Sequence, residues 1–130
     1  MLARTAADVV LLQETKTLGE ETTTATISRL RRHGWNSTVA PAWRTGADRA
    51  SGGVAVCARR AYGLTPHDHV VPEACAHRVA AAWLGGICRG GVHFVTVYFR
   101  HTEGLTDANL HFMQETAAFL RMLRGPWVLS

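Results

Sequence analysis

The chain has 130 residues, 47% hydrophobic and 18% charged, and a formal net charge of +4. That length suits one domain with a real core, the composition excludes intrinsic disorder, and no apolar run approaches the ~20 residues that span a bilayer. Three widely spaced cysteines, Cys57, Cys75 and Cys88, with no Cys-x-x-Cys pair, argue against a disulfide framework and a cysteine zinc site.

The first element is the run Asp8-Val9-Val10-Leu11-Leu12, which reads as a strand covered on both faces. It switches abruptly to Gln13-Glu14-Thr15-Lys16, so Glu14 stands at the strand exit, where layered α/β proteins commonly place a metal or substrate group. Thr22 to His33 carries a helix signal: a threonine for the cap, Ile27 and Leu30 three apart, and Gly34 as a stop. Its exposed face carries Arg29, Arg31 and Arg32, a solvated basic surface or a phosphate contact. Trp35 to Ala40 returns as a short strand, and Pro41 to Ala50 reads as a loop.

Gly53 to Arg59 is the next strand, with Val54, Val56 and Ala58 alternating against Ala55 and Cys57, and Cys57 reads as a buried thiol. The paired glycines at its start permit either a plain turn or a close backbone approach. Leu64 to Val71 has the character of an edge strand interrupted by proline, and His77 to Cys88 and Gly91 to Phe99 form two further strands around Gly90-Gly91, a hairpin signal. Consecutive strands of this kind favour an antiparallel meander. Leu105 to Leu123 is the clearest helix, with Leu110, Met113, Ala117 and Leu120 on one stripe and Thr106 or Asp107 as its cap. Gly125-Pro126 stops it, and Trp127-Val128-Leu129 begins a last strand, expected to be buried.

This order describes an α+β or α/β layered domain without repeats or a low-complexity linker. Thirteen of the 14 basic residues are arginine, which suits a polyanionic partner through its planar fork of donors, although a compositional bias of the gene is the stronger explanation. The N-terminus lacks the apolar core of a signal peptide, so an intracellular location is expected, nucleus or cytoplasm left open.

Three segments in order, Leu12-Gln13-Glu14-Thr15-Lys16, then Ala50-Ser51-Gly52-Gly53-Val54-Ala55-Val56, then Val95-Thr96-Val97-Tyr98, resemble the endonuclease/exonuclease/phosphatase superfamily of metal-dependent phosphodiesterases. The resemblance spans nearly the whole chain. It implies a hydrolase whose fold is α+β, part of a four-layer α/β sandwich of two mainly antiparallel sheets flanked by helices, with Mg (or Mn) as cofactor. It implies Glu14 as metal ligand, Tyr98 as the catalytic group that orients the scissile phosphate, and Arg78, after the acidic loop containing Glu73, as a substrate-binding residue. Phe99-Arg100-His101 departs from the small residue and proline that commonly follow the family's tyrosine. Asn36 and His101 read as turn or surface residues, and His67-Asp68-His69, which has the look of a metal site, as exposed histidines without a third ligand.

The family's Gly-Asp-x-Asn motif and its water-activating Asp-His pair have no counterpart here: Asp68-His69 falls in the wrong place. Residues 1–130 are therefore expected to be a partial domain, truncated at both ends and lacking the first strand and the C-terminal half. The expected parent is an endonuclease acting on nucleic acid, of the type found beside reverse transcriptases or in DNA repair, with no membrane attachment. The isolated chain is expected to be inactive, since catalytic groups act as a unit. The alternative is a non-catalytic module that binds nucleic acid or protein. Within the enzyme reading, DNA, RNA, inositol phosphates and lipid head groups all stay open.

Overall fold

The structure, a computed structural model, describes residues 2–67, 75–100 and 104–130. It has α+β character: two helices accompany antiparallel and mixed sheets. The first sheet has the order β1-β5-β2, where β1 is Val9–Gln13, β2 is Trp35–Ala40 and β5 is Val54–Arg59. Both outer strands run antiparallel to β5, so β1 and β2 are parallel to each other and α1, Gly19–Arg32, is the crossover between them. Central position explains the sequence of β5. Five of its six residues, Val54 to Ala58, are buried, so both faces of the strand are apolar.

The helix α1 starts earlier than its threonines suggest. Gly19 turns the chain at φ +75°, Glu20 and Glu21 occupy the first turn, and the Thr23 hydroxyl donates back to the Gly19 carbonyl (2.7 Å) instead of capping. Residues 41–50, read as a loop, contain a hairpin of β3 (Trp43–Gly46) and β4 (Arg49–Ser51). It is mostly exposed and carries no apolar alternation, which is why the pattern is silent there.

A second sheet has the order β6-β7-β8-β9, with β6 Leu64–Pro66, β7 Val79–Leu84, β8 Val92–Val97 and β9 Trp127–Leu129. The first three form the expected antiparallel meander, and β9 joins β8 in parallel. The β7–β8 connection is longer than a Gly-Gly turn, because the ladder closes at Leu84↔Val92. All three residues of β9 are exposed, contrary to the expectation of a buried strand. The outer part of the expected 64–71 strand lies outside the described residues.

Three apolar clusters hold these elements together. Val54, Val56 and Ala58 of β5, with Val9 and Leu11, meet Ala80, Ala82, Leu84 and Tyr98 of the second sheet. Trp35, Ala55 and Cys57 pack with Val10, Leu12 and Leu30 of α1. Val79, Ala81, Val95 and Val97 pack against Phe112 and Phe119 of α2, Asp107–Met122. Alternation along β5, β7 and β8 thus sends successive side chains to opposite clusters. The buried face of α2 is Asn109, Phe112, Thr116 and Phe119, whereas Leu110 and Met113 of the expected stripe are exposed. Two phenylalanines at that spacing bury more area than the Leu and Met they displace. Among the described residues, no helix is long and apolar enough to cross a membrane.

Candidate functional site

The exit of β1, the entry of β5 and the end of β8 converge on one rim. Register places Gln13 opposite Val54, and the pairing continues past the strands: Thr15 N–H donates to the Gly53 carbonyl (3.0 Å) and Lys16 N–H to that of Gly52 (3.2 Å). The Gln13 side chain crosses to the other sheet, its Nε2 donating to the Val97 carbonyl (2.8 Å). That bond ties the β1 exit to the strand end that carries Tyr98.

Glu14 and Lys16 both adopt left-handed backbone, φ 52° and 54°, which is uncommon for residues with a Cβ and concentrates at functional sites. The Tyr98 hydroxyl donates to Glu14 Oε1. Two residues 84 positions apart, both singled out by the one resemblance, are thereby direct partners. Glu14 Oε2 lies 3.9 Å from Lys16 Nζ, an exposed pair of small energetic weight. Its carboxylate therefore stays accessible, with the side chain 41% exposed.

Electrostatics hold the tyrosine in its neutral form. The bond to Glu14, burial and the nearby carboxylate charge raise the Tyr98 pKa above its ordinary 10.0, while a Ser51 hydroxyl and the Arg78 charge act the other way. At neutral pH the phenol is a hydrogen-bond donor aimed at an anionic oxygen.

The two glycines before β5 answer the choice between a plain turn and a close approach. A Cβ on Gly52 would lie 2.1 Å from the Trp43 ring, and one on Gly53 would lie 2.5 Å from Thr15 Oγ1. Trp43 thus packs tightly against the glycine backbone, beside Tyr98 (ring centroids 6.3 Å apart) and His77 (6.4 Å), with the Arg100 guanidinium 5.1 Å from its ring centre.

Arg78 lies behind the rim and is 7% exposed. Its Nε donates to the Tyr98 carbonyl (3.0 Å), its Nη2 to Asn109 Oδ1 (2.8 Å), and its guanidinium stacks 3.9 Å from the Phe112 ring centre. Asn109 in turn donates to the carbonyls of Arg100 (3.0 Å) and Gly104 (2.7 Å). Arg78 and Asn109 therefore brace the chain at Tyr98 and just after it.

Other sequence candidates fall elsewhere. Asn36 pairs with Ala58, at the far end of β5 from the glycines. His67 Nε2 shares a hydrogen bond with His93 Nδ1 (2.8 Å), near Phe119. Glu73, His101 and the Asp68-His69 pair lie outside the described residues. Trp43, Ser51 and Asn109 were missed by sequence reasoning. A lone tryptophan in a polar stretch after Pro41 was the available signal for the first; the other two leave none.

A magnesium ion takes hard oxygens, commonly one or two carboxylates completed by water. Glu14 supplies one accessible carboxylate, and the next residue supplies Thr15 Oγ1, a buried hydroxyl without a hydrogen-bond partner among the described residues. Those donors suit magnesium or manganese better than a softer metal. Among the described residues no group of three or more His, Cys, Asp or Glu side chains converges. No family model and no curated protein matches the chain.

Proposed function

We propose that this chain carries the metal-binding and phosphate-orienting part of a magnesium-dependent phosphodiesterase of the endonuclease/exonuclease/phosphatase type, with nucleic acid as substrate. One observation carries the reading: the Tyr98 hydroxyl on Glu14, which joins the two residues that the motif order singles out. The succession α1, first sheet, second sheet, α2, with an apolar cluster at each junction, supports the four-layer sandwich that this reading requires.

Glu14 holds the metal, and Tyr98 is the catalytic residue that turns its donor from the carboxylate to a non-bridging phosphate oxygen when substrate arrives. The bound metal supplies neutralisation of the phosphodiester charge. Arg100, held over Trp43 beside Tyr98, adds a cation on the same rim. Arg78, the substrate-binding candidate from sequence, contributes chiefly by fixing the Tyr98 main chain. No water-activating base stands among the described residues of this rim, and on this reading the 130 residues bind metal and phosphodiester but turn over little.

Manganese titration followed by electron paramagnetic resonance tests the assignment. Binding that disappears in Glu14→Gln is expected, with Tyr98→Phe retaining the metal but weakening phosphodiester affinity about tenfold. Unchanged manganese affinity in Glu14→Gln refutes the metal role, and magnesium-dependent nicking of supercoiled plasmid by the wild-type chain refutes the inactivity. The second reading, a binding module without catalysis, draws on the exposed Trp127, Val128 and Leu129 of β9, apolar side chains on a sheet-edge strand that suit association.

A further inference from the structure

The end of the molecule opposite Glu14 and Tyr98 carries a concentration of positive charge that the rim does not use. Because α1 runs back along the first sheet, its C-terminus lies where β5 ends: Arg60 N–H donates to the Gly34 carbonyl (3.2 Å) and Arg60 Nη2 to the Arg31 carbonyl (2.6 Å). Arg29, Arg31, Arg32, His33 and Arg60 are all exposed. Leu30 points inward onto Trp35 and Cys57, so at ~100° per residue its neighbours fan over the outer half of the last turn.

The charge is not neutralised locally. Among the described residues none of these four arginines forms an ion pair, and Asp8, the carboxylate at this end, is in none either. Glu20 and Glu21 stand at the opposite end of the same helix. The negative end of the helix dipole offsets only about half a unit charge.

We propose that Arg29, Arg31, Arg32 and Arg60 form a binding surface for the phosphate backbone of nucleic acid, separate from the Glu14–Tyr98 rim. The surface does not depend on the phosphodiesterase reading. Four guanidinium groups present paired donors that match phosphate oxygens, and Arg29 and Arg32, three apart on α1, have stems ~5–6 Å apart. A membrane surface fits less well. Basic helices that lie on lipid pair their charges with exposed Trp, Phe or Leu, and none of the exposed large hydrophobic side chains lies on α1 or residues 59–62. The contact reads backbone charge and not base sequence.

Fluorescence anisotropy of a labelled oligonucleotide of ~20 nucleotides, with EDTA present so that no metal site contributes, tests this directly. Four contacts predict that log K falls with log salt at a slope of about −3, a loss of roughly fiftyfold or more between ~50 and ~200 mM. The triple variant Arg29→Ser, Arg31→Ser, Arg32→Ser is expected to reduce that slope to about −1 and the low-salt affinity by at least ~10-fold, whereas lysine at the same three positions keeps the slope. A wild-type slope in the serine variant, salt-independent binding, or tighter binding to phosphatidylserine vesicles than to the oligonucleotide overturns the proposal. Failure of the metal assignment at Glu14 leaves these results unaffected, so the two readings stand or fall separately.

Discussion

Replacing Arg78 by alanine should cost this domain a large part of its stability, although the residue first reads as a substrate contact. The guanidinium is 7% exposed and donates to two buried acceptors, the Tyr98 carbonyl at 3.0 Å and Asn109 Oδ1 at 2.8 Å, while stacking on Phe112 at 3.9 Å. Hydrogen bonds from a charged donor contribute about 1.5–3 kcal/mol each, and a desolvated cation–π contact about 1–2 kcal/mol. Water entering the vacated space recovers part of this, leaving roughly 3–5 kcal/mol. Domains have only about 5–15 kcal/mol in total. At ~3–5 °C per kcal/mol for a chain of this size, Tm should fall by roughly 10–20 °C. Thermal unfolding followed by far-ultraviolet circular dichroism reads the effect, and urea midpoints check it. A variant within about 1 kcal/mol of wild type refutes the bracing role. Asn109→Ala sharpens the test, because it removes the acceptor of one Arg78 bond and the donor to Arg100 and Gly104. Coupling of about 1–3 kcal/mol between the two substitutions is expected for one network, and none for independent sites.

Gly53→Ala should destabilise by about 2–4 kcal/mol in urea, since its Cβ would lie 2.5 Å from Thr15 Oγ1 and 3.1 Å from the Ala42 nitrogen at φ +77°; an unchanged midpoint would show that the backbone yields. Lys16→Gly should instead raise Tm by a few degrees, because it releases about 1 kcal/mol of left-handed strain at φ 54° and loses only an exposed pair. A thiol reagent should modify Cys88 alone in the native protein, because Cys57 and Cys75 are buried; rapid labelling of a second thiol contradicts the packing of β5 or of the α2 cluster. Burial pushes the Cys57 thiol from 9.0 to about 11, and Tyr98 is also raised. A raised acid keeps its full stabilisation below the unfolded value and loses it as pH rises, so urea midpoints should be level to about pH 9 and fall towards pH 11, with Cys57 accounting for roughly 2–3 kcal/mol.

Strands were the most legible part of the fold because burial on two faces leaves an uninterrupted apolar run, as in Val54-Ala55-Val56-Cys57-Ala58. Trp35–Ala40 and Trp127–Leu129 fall where pattern and turn residues put them. Both helices were legible in place, and α1 also in orientation, with Leu30 inward and its arginines exposed, but α2 was not. Along α2 two apolar stripes compete, and Phe112 and Phe119 take the core because Arg78 needs Asn109 one turn before Phe112. That choice belongs to a contact 31 residues away, which no local window contains. The β3–β4 hairpin escaped for the opposite reason: its strands bury little, so nothing in its sequence alternates.

The candidate site divides along the same line. Glu14 and Tyr98 are legible because each ends an apolar strand, and strand ends are where a sheet can present a polar group without breaking its ladder. What makes them a site is not local. Gln13 spans from the first sheet to Val97, the left-handed backbone at Glu14 redirects its carboxylate, and Arg78 fixes the Tyr98 carbonyl from behind. Each of these ties is a single hydrogen bond or torsion between elements far apart in the chain. Because the tyrosine is braced through its main chain and the glutamate through its turn, the carboxylate–phenol pair is positioned by the packing of two sheets and α2, with Lys16 contributing little. Loosening α2 at Asn109 should therefore disturb Tyr98 before it disturbs Glu14, and metal affinity should outlast phosphodiester affinity as the brace is weakened.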